Sequence, residues 1–117
     1  MPRFVVQHHQ VNESEEHWDL MLEDGDALAT WQVPEPPAQW GKMGICRELS
    51  PHRKAYLTWQ GPISSGRGQV AIVAGGEFTT ILRNENLWRL RLAGGRISGL
   101  LELSRIDLEN WRLLLSE

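Results

Sequence analysis

Three of the four histidines lie in one stretch, FVVQHHQVNESEEHWDLMLE at positions 4–23, and an aspartate follows the last of them by two residues. In an extended strand the side chains at i and i+2 share a face, so His17 and Asp19 project together. Antiparallel pairing of residues 4–9 with 17–23 would bring Gln7 and His9 beside them. Imidazole nitrogens and a carboxylate oxygen make a small mixed donor set. Such a set suits Mn²⁺ or Zn²⁺ and leaves positions open for water or phosphate, as catalysis requires. The same spacing also fits the polar, wet face of an ordinary hairpin, and spacing alone does not choose between them.

The fourth histidine, His52, follows Ser50-Pro51 and precedes Tyr56 by four residues. Beside a metal, this pair can bind phosphate or move protons. Without one, they read as a loop histidine and a half-buried tyrosine. The SSGRG stretch at 64–68 lacks a Walker lysine and a following helix, so it reads as a barrel corner, with Arg67 a candidate phosphate contact. Trp40, Trp59 and Trp88 read as core residues before base-stacking platforms.

These groups need a scaffold, and the totals allow one. The chain has 117 residues, 41% of them apolar, with six tryptophans, enough for one domain with a real core. Cys46 is the only cysteine, which excludes an internal disulfide and a thiolate-rich metal site; it reads as a small buried hydrophobe. The formal net charge of -3 argues against a globally basic nucleic-acid binder. Eight of the fifteen acids nevertheless fall between Glu13 and Glu35, and eleven of the twelve basic residues between Lys42 and Arg112. An acidic, cation-attracting region beside a basic one fits that asymmetry, as do two solvated faces. No signal peptide or membrane-length apolar run is present, so the expected location is the cytoplasm.

The dominant period is two. Strands are expected over 4–9, 17–23, 27–33, 44–49, 55–60, 69–74, 77–82, 87–92, 96–106 and 111–115, separated by turn residues such as EDGD at 23–26 and the glycine pair at 75–76. PEPP at 34–37 opens a loop to about Gly41. One helical turn is expected at 107–110, with Asp107 as its cap. The expected fold is mainly β: a single closed or partly closed barrel of about eight strands with little helix, spanning 1–117 as one monomeric domain.

Four blocks, FVVQHH…HWDLMLE, PHRKAYLTWQGPI, LWRLRLAGGRISGLLELSR and WRLLL, come in the order and rough spacing of the 3′-phosphoesterase domain of bacterial DNA ligase D, which the chain resembles over nearly its whole length. That family has F-V-V-Q-[KR]-H, then L-H-Y-D-F-R-L-E, then D-H-P-x-x-Y-x-x-[FW]-x-G. The resemblance implies a β-barrel phosphoesterase, typically Mn²⁺-dependent. It would trim 3′-terminal ribonucleosides and phosphates from DNA ends for ligation in end joining. By matching position, His9, His17 and Asp19 would be the metal ligands. Gln7, His52 and Tyr56 would be catalytic, the last two engaging the scissile phosphate, and Trp59 and Gly61 match the aromatic and glycine that follow. Arg67, Arg89 and Arg91 are the expected phosphate-facing cations.

The chain departs from the pattern in places. Met21 stands where the family has an arginine, whose bidentate phosphate contact methionine cannot make. His9 and His17 are two residues further apart than usual. His8 is an alternative ligand, though its side chain should point to the other face. Only Met1, Pro2 and Arg3 precede the first block, and no polymerase or ligase domain is attached, so a repair partner is expected to be a separate protein. Three readings follow: a phosphoesterase of nucleic-acid 3′ ends; a non-catalytic module for DNA ends or a repair protein, with Arg96 and Arg105 adding to its phosphate-facing surface; and a metal-free barrel of unrelated role.

Overall fold

A computed structural model describes residues 1–63 and 66–116. Nine strands form one sheet: β1 (Arg3–Gln10), β2 (Glu16–Asp24), β3 (Ala27–Val33), β4 (Gly44–Arg53), β5 (Gly61–Pro62), β6 (Gln69–Asn84), β7 (Leu87–Gly94), β8 (Ser98–Arg105) and β9 (Asn110–Ser116). The sheet order is β1-β2-β3-β4-β9-β8-β7-β6, and β6 also pairs with β1. That last pairing closes an eight-stranded antiparallel barrel, as the turn spacing predicts; the two-residue β5 adds to the free edge at the start of β6.

Alternation fills the barrel. Phe4, Val6, Leu20, Leu22, Leu90, Leu92, Leu101 and Leu103 all point inward with Trp31, Trp88 and Trp111. The loop after β3 folds back so that Trp40 enters the same core, its indole N–H donating to the Glu35 carbonyl at 2.9 Å. β1 departs from simple alternation because both of its faces are covered. Val5 packs outside the barrel with Met21, Leu28 and Leu57, under the segment that follows β4.

Three sequence expectations are corrected. Residues 69–84 form one strand rather than two, and the glycine pair lies within it. A Cβ on Gly76 would collide with the backbone of Ala93 and Gly94, so this glycine permits β6 and β7 to meet closely where the barrel closes. Residues 55–60 are not a strand: the chain makes a 3-10 turn over Lys54–Leu57, which drops Leu57 into the outer apolar cluster. A stretch this short fits either conformation, and its period does not separate them. Residues 107–110 are not helical. Asp107 accepts hydrogen bonds from the backbone N–H groups of Glu109 and Asn110 at 3.1 and 2.9 Å, forming a turn between β8 and β9. Those bonds, that from Asn110 foremost, hold its carboxyl below the usual aspartate range.

Cys46 sits inside the barrel. Burial first, and then the Glu35 carboxylate, push its thiol from 9.0 up to about 12. A raised folded-state value favours the neutral form, so its contribution to stability is whole below pH 9.0 and is lost as pH climbs towards about 12. Iodoacetamide at about pH 8 should therefore alkylate Cys46 slowly in the native protein and rapidly in urea, as followed by intact mass. Equal rates would place the thiol at the surface.

Candidate metal centre

The β1–β2 register sets His9 opposite His17 and Gln7 opposite Asp19. Directly paired residues have Cβ atoms about 4.5–5.5 Å apart, so register alone gathers the four side chains on one face. The two extra residues between the histidines do not disturb it. The connection at 11–15 absorbs them, closed by the Val11 N–H donating to the Glu15 carbonyl at 2.9 Å.

His9 Nδ1 lies 3.1 Å from His17 Nε2, and His17 Nε2 lies 3.2 Å from Asp19 Oδ1. His9 Nδ1 is 3.9 Å from Asp19 Oδ2, and one donor atom from each residue falls within 4.8 Å of the others. Two donors each about 2.1 Å from an ion stand roughly 3.0–3.4 Å apart at octahedral to tetrahedral angles. The spacing therefore fits a divalent ion held by two nitrogens and an oxygen. Two further features support that fit. His9 Nε2 donates to the Arg67 carbonyl at 2.7 Å, which leaves Nδ1 with its lone pair facing the cluster. Asp19 is 4% exposed, and its Oδ1 is buried with no hydrogen-bond partner among the described residues. His17 Nε2 is close to that oxygen but donates to His9 Nδ1 instead. A buried carboxylate oxygen left unpaired is costly unless a cation completes it.

His8 is not part of this cluster. It faces the other side of β1, stacked on Trp18 with ring centroids 4.9 Å apart and bonded to Glu16 Oε1 at 2.6 Å. Nor is the His17–Asp19 face wet: the segment after β4 covers it, and His17, Asp19 and Met21 are all buried.

That cover brings the third block to the site. A cavity of about 110 Å³ is lined by His9 and Asp19 together with His52, Tyr56 and Arg67. His52 lies in β4, beyond the strand end expected from sequence, opposite Leu28. Its Nδ1 donates to the Ser50 carbonyl at 3.0 Å, leaving Nε2 available, and its ring meets that of Tyr56 edge-on at 5.6 Å. Gln7 has a positioning role: buried, it donates through Nε2 to the carbonyls of Tyr56 at 2.7 Å and Trp59 at 3.0 Å. Met21 forms part of the cavity wall while packing against the outer apolar cluster.

Arg89 and Arg91 stand elsewhere. They pair with Leu82 and Thr79 of β6, whereas His9 pairs with Val70. Nine residues of strand separate Thr79 from Val70, about 30 Å at about 3.3 Å per residue. Arg89 is also engaged by Glu102 at 3.1 Å.

Over residues 7–105 the chain matches the family model of the DNA ligase D 3′-phosphoesterase domain. The chain belongs to this family. No curated protein gives a significant match. Within the phosphoesterase family pattern, the His, His and Asp positions converge on one point here, and the histidine and tyrosine of the third block line the same cavity as His9 and Asp19.

Sequence reasoning missed the backbone brace on His9. Carbonyl groups carry no sequence signature, but the glycine cluster was a cue. Gly68 has φ +88°, and a Cβ there would collide with the backbone of Gln10 and Val11. A Gly68→Ala substitution should displace the adjacent Arg67 carbonyl and weaken Mn²⁺ binding by about 10- to 100-fold, the usual effect of losing a partner behind a metal ligand. Calorimetric titration checks this; an unchanged affinity would show that the brace does not orient His9.

Proposed function

We propose that the chain is a metal-dependent phosphoesterase that processes nucleic-acid 3′ ends, removing a terminal ribonucleoside or phosphate during DNA repair by end joining. The observation that supports it best is the cluster of His9, His17 and Asp19 beside a small cavity that His9 and Asp19 line together with His52 and Tyr56. Mn²⁺ is the proposed ion, with Zn²⁺ the alternative for the same donors. When bound, the ion supplies Lewis acidity, neutralising a phosphate and lowering the pKa of water. His52, when doubly protonated, gives its Nε2 proton to the departing oxygen as water adds to phosphorus and the ester P–O bond breaks, the water's proton passing to solvent. The Tyr56 hydroxyl and the Arg67 guanidinium orient the phosphate oxygens.

Met21 favours a second reading. A side chain 1% exposed in an apolar cluster stands where the family arginine would meet phosphate. A non-catalytic module that binds DNA ends, or a separate ligase or polymerase, keeps the barrel and the metal without turnover. Incubation with a primer–template ending in a 3′ ribonucleotide or a 3′-phosphate separates the two. The enzyme trims the end with Mn²⁺ and stops with chelator, and His52→Ala slows it by about 10²–10⁴-fold. Mn²⁺ binding with no processing of either end would favour the module.

A further inference from the structure

Beside the metal cavity lies a second recess of about 260 Å³, lined by Arg53, Ala55, Tyr56, Trp59, Pro62 and Ile63. Tyr56 and Ile63 border both, so the two spaces adjoin across one wall. Trp59 is 45% exposed, whereas Trp31, Trp40, Trp88 and Trp111 are buried in the barrel and Trp18 packs against its core. Core packing therefore explains five of the six tryptophans and not this one. Its backbone is nevertheless held, because Gln7 donates to its carbonyl. The indole is thus presented by an anchored chain beside the place where a phosphate would sit.

We infer that this recess takes the nucleobase of the terminal ribonucleoside, stacked on Trp59, while the phosphate attached to that nucleoside occupies the metal cavity. The inference rests on the phosphoesterase reading. A flat, uncharged, aromatic group joined to a phosphate matches walls that, Arg53 and the Tyr56 hydroxyl apart, are apolar and lie next to a cation site. The volume falls just below the roughly 300–1,000 Å³ of pockets for drug-sized ligands, room for one base. A recess for one base suits the last nucleoside of a strand better than one whose backbone continues in both directions. Stacking on an indole is tolerant of base identity, so any of the four bases is accepted.

The test uses the whole chain with Mn²⁺ and two probes, adenosine 5′-monophosphate and ribose 5-phosphate, titrated by calorimetry. Wild type should bind the nucleotide at least about tenfold more tightly, the loss expected when one base–aromatic stack is removed. Trp59→Ala should abolish that preference, Trp59→Phe should keep most of it, and both should bind Mn²⁺ as wild type does, showing an intact barrel. In turnover, Trp59→Ala should lower the ratio of kcat/KM for ribonucleoside removal to that for 3′-phosphate removal by a similar factor. Equal binding of the two probes by wild type, or a preference that survives Trp59→Ala, overturns the inference. So does a turnover ratio that Trp59→Ala leaves unchanged. If wild type trims neither primer, the phosphoesterase reading fails instead, and the probe titration alone decides whether the recess takes a base.

Discussion

Asp19→Asn should eliminate Mn²⁺ binding at any concentration that saturates wild type, and end processing with it. The carboxylate provides the only anionic donor of the cluster, and its Oδ1 is buried with no hydrogen-bond partner among the described residues. Losing a group behind a ligand already costs about 10- to 100-fold in affinity, so losing the ligand itself should cost more. Thermal unfolding gives a readout independent of activity. At 100 times its dissociation constant, an ion that binds only the folded state stabilises it by about 2.7 kcal/mol. For a domain of this size that is a rise in Tm of roughly 10 °C. Wild type should show the rise and Asp19→Asn should not. The metal-free variant should melt no lower than metal-free wild type, because an amide in place of a buried carboxylate whose Oδ1 lacks a hydrogen bond removes a desolvation cost. A variant that keeps the Mn²⁺-dependent rise would mean that the ion sits elsewhere.

Trp31→Ala should be the most damaging single change to the barrel. Trp31 is 1% exposed and meets Trp88 and Trp111 edge-to-face, with centroids 5.3 and 5.6 Å apart. Truncating a buried aromatic costs about 3–5 kcal/mol, a large share of the roughly 5–15 kcal/mol that holds a domain folded. The urea midpoint should fall by about 1–3 M, with the slope unchanged. Trp31→Phe keeps a ring in the cluster and deletes an indole N–H that is buried without a hydrogen-bond partner among the described residues. It should therefore cost less than half as much. If Phe costs as much as Ala, packing of the full indole, rather than filling the space with a ring, decides the stability at this position.

The two predictions concern opposite faces of β2 and β3, and the sequence was unequally legible on the two. Inside the barrel the alternation of Trp18, Leu20 and Leu22 against His17, Asp19 and Met21 identified strand, face and fold class, because period-two burial is a local property. The chemistry of the site was also readable in part: His9, His17 and Asp19 form the cluster expected of them, since an antiparallel hairpin converts spacing directly into adjacency. The block resemblance, rather than spacing, pointed to His52 and Tyr56, which lie some thirty residues further along.

What lay beyond the sequence was every feature made by segments meeting at long range. The outer face of β1 and β2 looked wet because nothing in residues 4–23 reveals that Lys54–Leu57 will cover it. Residues 55–60 alternate well enough for a strand, and only the apolar surface offered to Leu57, with the hydrogen bonds from Gln7, selects the turn. Arg89 and Arg91 were expected to face phosphate, yet the register of β6 and β7 carries them away from the centre. The sequence by itself determined a closed β-barrel with a His-His-Asp hairpin on its wall, because strand period and hairpin register are encoded within a few residues. Only the tertiary structure decided that the hairpin is a buried, roofed centre with an exposed tryptophan beside it. Covering a face takes partners distant in the chain, and their arrival depends on the total surface they bury together.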